Sequence, residues 1–282
     1  MSSAITTQDF AAQQTVWLLD NLIVQMKRAI RPDAQGAVHD LRVAIRRFTG
    51  ALDAFELCFA STKKARRKLD TVMSLAGEVR NIDIAVRLVQ RFGEDDTDVL
   101  VKCLNGMRKE NGNALVRYLK RRTSAEWRER LLPAASSVTA EFCRAPIKSN
   151  TSEILSKLTK RFDAKGSATA EKKASSKRMH QFRIAGKKFR YGLDLFSPVY
   201  GDSLQVTLGQ LAKLQKLLGQ INDCATVREI LASCHGAVKT ARALKKRQQK
   251  KSRKFRRMWS TEFEGAEILD SQVSGIIKLA RK

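Results

Sequence analysis

Two short basic rows carry the residues best suited to chemistry in this chain. The first is His39, Arg42 and Arg46, flanked by Arg47; the second is His180, Arg183, Lys187 and Arg190, flanked by Lys188. Two of the three histidines in 282 residues therefore stand at the same place in two related segments, AVHDLRVAIRRFTGALDAF (Ala37–Phe55) and RMHQFRIAGKKFRYGLDLF (Arg178–Phe196). At about 100° per residue, His39, Arg42 and Arg46 fall within about 60° of one another on a helix. Guanidinium forks and ammonium groups bind phosphate oxygens, and an imidazole donates from either ring nitrogen. Like charges four residues apart repel and weaken an isolated helix, and an anion bound along the row would offset that repulsion. A histidine among cations should lose proton affinity while the site is empty and regain it when phosphate arrives. Each row ends in an acid in register, Asp53 or Asp194, read as an orienting group; Asp194 lies four residues after Arg190 and within pairing reach. A solvated charged face is the rival reading of any one basic residue here, and a satisfied structural histidine is the rival for His39 and His180.

The elements that must hold these rows are helices. Val38, Leu41, Ile45, Phe48, Leu52 and Phe55 step by three and four residues, as do Met179, Phe182, Gly186, Phe189, Leu193 and Phe196, which is the apolar seam of a bundle helix. The repeat continues: SLAGEVRNIDIAVRLV (Ser74–Val89) matches KLLGQINDCATVREIL (Lys216–Leu231), with Gly77 opposite Gly219 and Asn81 opposite Asp223. Two helix pairs in the same order indicate duplication. The chain is read as all-α, two helical bundles of about four to five helices each, over residues 1–145 and 150–282, with a boundary near Cys143–Ser152. Predicted helices cover Asp9–Ile30, Val38–Phe59, Lys63–Phe92, Asp98–Arg122 and Ala125–Cys143 in the first half. In the second they cover Glu153–Phe162, Lys177–Phe196, Ser203–Leu231 and much of Gly236–Arg281, with DAKGSATAEKKASS read as a small-polar connector.

Composition narrows the partner. There are 54 Lys and Arg against 28 Asp and Glu, a net charge of +26, and such a field attracts a polyanion: nucleic acid, an anionic membrane or a phosphate polymer. No apolar stretch approaches the roughly 18 residues of a membrane span, and the first residues lack the basic start and apolar run of a secretory signal. Five cysteines with no CxxC pair fit buried thiols in a reducing cytosol better than a disulfide frame. Around His39 and His180 there is no Cys/His spacing for zinc, so no metal and no cofactor is expected. Further basic runs, KKARRK (Lys63–Lys68), KRR (Lys120–Arg122) and KKRQQKKSRKFRR (Lys245–Arg257), are general electrostatic surface. In the last run, Lys246, Lys250, Arg253 and Arg257 make one positive face, which either lines the site or holds the outer turns of a long ligand.

The segments VHDLRVAIRRFTGALDAF and MHQFRIAGKKFRYGLDLF, with the following LAGEVRNID and LLGQIND helices, resemble the CHAD family, the conserved-histidine α-helical domain, over nearly the whole chain. That resemblance implies two helical bundles related by a pseudo-twofold, with a basic groove or cavity between them. It also implies non-catalytic binding of inorganic polyphosphate, with a cytoplasmic location at polyphosphate granules as a common setting for the family. Carried over residue by residue, the polyphosphate-binding set is His39, Arg42, Arg46, Arg47 and Arg80 from one half and His180, Arg183, Lys187, Lys188 and Arg190 from the other. The family's second motif commonly reads Arg-Asp, whereas this chain has Arg80-Asn81, so an ion-pair role at position 81 is in doubt. Nucleic acid stands as the alternative partner for the same surface. Arg-rich rows supply the sequence-independent phosphate contacts that any such polymer uses, but the stacking aromatics of single-strand binders are not evident among residues dominated by seam phenylalanines. An enzyme is the more remote reading. The E-x-E-x-K strand of triphosphate enzymes finds only EFEGA (Glu262–Ala266), where alanine replaces lysine, and no Walker loop or nucleophile elbow occurs.

Overall fold

In the computed structural model, residues 5–31, 36–93, 97–133, 141–171 and 175–263 are described. Among them the chain forms ten α-helices, two short 3-10 segments and no strand. The helices are α1 Thr7–Ala29, α2 Ala37–Ala54, α3 Lys63–Phe92, α4 Thr97–Leu119, α5 Ser124–Leu131 and α6 Glu141–Arg144 in the first half. They are α7 Ile147–Ala170, α8 Ser176–Tyr200, α9 Gln205–Leu231 and α10 Val238–Glu262 in the second. The all-α expectation holds. No described helix is long and apolar enough to cross a membrane.

Local chemistry sets the ends. Thr6 Oγ1 accepts from Asp9 N–H at 3.1 Å to cap α1, Ser175 Oγ accepts from Arg178 N–H at 3.3 Å to cap α8, and Thr123 with Glu126 forms a reciprocal capping box on α5. Neighbouring helices pair along the chain, α1 with α2, α3 with α4, α7 with α8 and α9 with α10, while α2 meets α8 and α3 meets α9 across the halves. The apolar core follows this pattern. One large cluster joins Leu41, Phe48 and Phe55 to Phe182, Phe189 and Phe196, and a smaller one joins Ile82, Val89 and Leu104 to Val227, Leu231 and Leu244. Both clusters draw residues from both halves. In the two seams every position from Leu41 to Phe55 and from Phe182 to Phe196 is buried, while Val38 and Met179 at the open ends are half-covered.

Four sequence expectations need correction. The stretch read as a connector after Phe162 is helical through Ala170. Its buried stripe is Ile147, Thr151, Leu155, Thr159, Phe162, Gly166 and Thr169. Thr151, Thr159 and Thr169 each turn the hydroxyl back onto the carbonyl four residues earlier, at 2.6, 2.9 and 2.6 Å, which lets a polar residue sit in a core face. Gly166 is required for packing, since a Cβ there would run into the Trp259 indole. Small residues thus mark a close helix contact rather than a linker.

The helix predicted over Val38–Phe59 ends at Ala54 and passes into a 3-10 turn at Glu56–Cys58. The helix predicted over Ala125–Cys143 stops at Leu131, where Leu132 turns extended ahead of Pro133; helix resumes at Glu141, and residues 134–140 lie outside the described set. So does the part of the last predicted helix beyond Phe263, with most of EFEGA. The thiols also differ from expectation: Cys58, Cys143 and Cys224 are buried, but Cys103 is exposed and Cys234 half-buried.

Candidate functional site

The α2–α8 crossing brings residues of one copy against their counterparts in the other. Phe55 and Phe196, 141 positions apart, meet edge to face at 5.9 Å. A Cβ on Gly50 would lie 3.9 Å from Cβ of its counterpart Tyr191. Asp53 of α2 pairs with Lys188 of α8 at 3.4 Å, and in the reciprocal sense Asp194 of α8 lies within electrostatic reach of Arg47 of α2. Asp53 also holds Arg66 of α3, and Arg190 lies 3.8 Å from Asp194 and donates to Gln215 Oε1 at 3.3 Å. Asp53 therefore holds cations from two other helices, which adds Arg66 to the rows read from sequence, whereas Asp194 Oδ2 is buried with no hydrogen-bond partner.

One turn or two toward the helix starts, the cations gather. Arg42 and Arg46 of α2, Arg80 of α3, and Arg183 and Lys187 of α8 lie within electrostatic reach of one another, and His39 joins them through Arg80, Arg46 and Lys187. All five cationic side chains are half-buried. The acid set among them is Asp223 of α9, which faces Arg183, Arg87, Arg80 and Lys187, and burial raises its carboxyl above the usual range despite these neighbours. Asp223 was legible as the counterpart of Asn81, but its place inside the cation group was not read from sequence.

The electrostatic strain of that gathering is visible in proton affinity. Burial, followed by Arg183, Arg46 and Arg42, drives the Lys187 ammonium down to about 6, against a smaller opposing pull from Asp223. Burial and then Arg46, Arg183 and Arg80 lower Arg42 to about 10, which leaves it charged at neutral pH. Arg183 is lowered chiefly by burial and then by Arg46, and its Nε is buried with no hydrogen-bond partner. His39 is lowered by burial and then by Arg80, with Asp40 opposing.

Gly77 explains how Arg42 is aimed. The guanidinium crosses the α3 backbone at this glycine and donates from Nη1 to Met73 O at 2.7 Å; a Cβ on Gly77 would come within 2.8 Å of that nitrogen. The matching Gly219 on α9 has nothing within 4 Å of its Cβ position. The two copies are alike in sequence here and unlike in use.

The ten residues expected to bind divide accordingly. His39, Arg42, Arg46, Arg80, Arg183 and Lys187 are brought together. Arg47, Lys188 and Arg190 sit farther along the crossing with Asp53 and Asp194. His180 faces elsewhere: it lines a cavity of about 90 Å³ with Met179, Leu218, Ile221, Asn222, Ala225, Gln248 and Ser252. Its Nδ1 lies 2.9 Å from Asn222 Oδ1, and Asn222 Nδ2 donates to Thr226 Oγ1 at 3.4 Å. Asn222, like Arg66 and Asp223, is a residue that sequence reasoning missed, though it stands opposite Arg80 in the repeat. The α10 row of Lys246, Lys250, Arg253 and Arg257 is exposed along its length. Among the described residues no cluster of His, Cys, Asp and Glu suited to a metal ion occurs.

Comparison with known proteins places the fold. The crystal structure of the CHAD domain from the plant Ricinus communis superposes with a TM-score of 0.69 at 16% identity, covering 97% of this chain and 93% of that one. PptA from Streptomyces chartreusis superposes with a TM-score of 0.63 at 14% identity, covering 98% of this chain and 99% of that one. At these identities the likeness speaks for the fold. No curated protein matches the chain. The CHAD domain family itself matches residues 18–232, which include both basic rows and both following helices. By that match over most of its length, the chain belongs to the CHAD domain family.

Proposed function

We propose that this protein binds inorganic polyphosphate, without turning it over, in a lane shared by the two copies of the basic helix. The observation that carries the reading is the convergence of Arg42, Arg46, Arg80, Arg183 and Lys187 from both halves around a single acid. Five cations held half-buried, one of them driven toward neutrality, are a poor arrangement for an empty protein. They become a good one when linked phosphates enter and take the unpartnered Arg183 Nε and the Lys187 ammonium as donors. Lys188, Arg47 and Arg190 extend the lane along the crossing, and the exposed α10 row offers further charge to a long chain. Polyphosphate requires nothing beyond repeated phosphate contacts. Base stacking would need a run of presented rings; Phe48, Phe55, Phe162, Phe182, Phe189, Phe196, Phe255 and Trp259 are fully buried, and Trp17 of α1, 60% exposed, and the half-buried Tyr191 beside Arg42 and Arg183 are separate rings rather than a stacking row. The proposed setting is the cytoplasm, at polyphosphate granules.

The test is a matched pair of charge reversals. Arg42→Glu with Arg183→Glu should weaken long-chain polyphosphate binding by roughly a hundredfold or more, the loss expected for two charge-assisted contacts. Lys63→Glu with Lys64→Glu changes net charge equally at two exposed positions and should cost far less. Equal losses would reduce the lane to general attraction. The milder Arg42→Gln with Arg183→Gln keeps the comparison open if the reversal perturbs folding.

A further inference from the structure

The cation lane leaves the cysteines unused, and four of the five are paired in space. Cys58 and Cys143 lie with Sγ atoms 3.0 Å apart, and Cys103 and Cys234 with Sγ atoms 3.6 Å apart. We infer that Cys103 and Cys234 form an oxidisable dithiol that closes into a disulfide and clamps the first half of the molecule to the second.

The placement favours this pair over its shorter neighbour. Cys103 lies on the solvent side of α4, between the buried Leu100 and Leu104, and is exposed to a reagent. Cys234 follows α9 in a turn closed by Ala232, Ser233 and Cys234 N–H groups donating back to Glu229, Ile230 and Leu231 carbonyls. Gly236, with φ of 75°, ends that turn in a conformation open to glycine. One sulfur is therefore on a rigid helix and the other on a short adjustable segment, so closing from 3.6 Å to a bonded distance of about 2.05 Å falls to the turn. Cys58 and Cys143 are nearer, but both are fully enclosed, and burial together with the contact to Cys143 pushes the Cys58 thiol up to about 12. Burial and the contact to Cys103 raise the Cys234 thiol as well, so what separates the pairs is access: the exposed Cys103 is the sulfur that an oxidant reaches.

The reaction balances with a peroxide as oxidant. The Cys103 thiol gives up its proton and the thiolate attacks one peroxide oxygen; the O–O bond breaks, Cys103 becomes a sulfenic acid, and the other oxygen leaves as hydroxide, which takes up that proton to become water. Cys234 sulfur then displaces the sulfenic oxygen, which leaves as a second water, and the S–S bond forms. Two thiols are oxidised by two electrons and one hydrogen peroxide is reduced to two waters. A small-molecule disulfide reaches the same product by exchange through a mixed disulfide on Cys103. The bond spans 131 positions of sequence and ties α4, packed on α3, to the end of α9, which also packs on α3. Closing so long a loop restricts the unfolded chain strongly.

The full chain treated with a few equivalents of hydrogen peroxide should lose two of its five titratable thiols while remaining monomeric on a non-reducing gel. Peptide mapping should return Cys103 joined to Cys234. The thermal midpoint should rise by several degrees, roughly 5–10 °C, and return on reduction with dithiothreitol. Cys103→Ser and Cys234→Ser should each abolish both the linked peptide and the midpoint shift. A Cys58–Cys143 link forming first, a Cys103 cross-link between two chains, or a sulfinic Cys103 beside a free Cys234 would each overturn the assignment. None of these readouts depends on polyphosphate.

Discussion

Lys187 offers a quantitative handle on the lane. Burial first, then Arg183 on its own helix and Arg46 and Arg42 on α2, push its ammonium down to about 6, with Asp223 on α9 opposing them. At pH 8 it is then about 1% charged. A chain of phosphates alongside it reverses the balance and returns the ammonium toward the ordinary lysine value near 10.4. Binding should therefore take up close to one proton per site between pH 9 and 7. By linkage, affinity should climb by up to about tenfold for each unit that pH falls in this window. His39 is lowered below its ordinary 6.5 and adds to the uptake only at the pH 7 end of the window, where phosphate restores its proton affinity, and the internal groups of a long polyphosphate are already ionised. Calorimetry at constant ionic strength, in buffers of different protonation enthalpy, reads the uptake directly. Lys187→Arg keeps the charge and should flatten the profile, whereas Lys188→Arg, at an exposed position, should leave it unchanged. A wild-type affinity constant from pH 9 to 7 with no proton uptake would refute the placement of Lys187 against phosphate.

The two motif glycines should respond in opposite directions to alanine. Gly219→Ala enters open space in α9 and should stabilise by about 0.5–1 kcal/mol through helix propensity, while Gly77→Ala displaces the Arg42 guanidinium from Met73 O and should destabilise by about 0.5–2 kcal/mol net; denaturant titration checks both, and Gly77→Ala should turn stabilising in an Arg42→Ala background. Polyphosphate affinity should fall with salt by about 0.7–0.9 log units per log unit for each phosphate neutralised, and Arg183→Gln should lower that slope by close to one contact in a filter-binding series.

Much of this was legible because period and register are written into residue types. The seams of α2 and α8 were visible in their three-four spacing, and the matching histidines and acids placed both basic rows before any contact was known. What the sequence could not show is partnership between elements. Asp53 looked like the end of its own row, yet it holds Arg66 and Lys188 from two other helices. His180 looked equivalent to His39, but position 222 is asparagine where its counterpart is Arg80, and that one difference gives His180 a neutral amide partner in place of a cation. The small residues after Phe162 carry the composition of a linker; only the indole of Trp259, nearly a hundred residues away, makes Gly166 a packing requirement. Thiol pairing was hidden for the same reason, since each close sulfur lies 85 or 131 positions from its partner.

The most direct measurement is a competition titration at moderate salt, in which long-chain polyphosphate and single-stranded DNA of equal phosphate content contend for the full-length protein. A lane built for linked phosphates alone should release DNA to polyphosphate well before equivalence, and the preference should shrink in the Arg42→Gln, Arg183→Gln variant. DNA holding its place against excess polyphosphate would contradict the central claim.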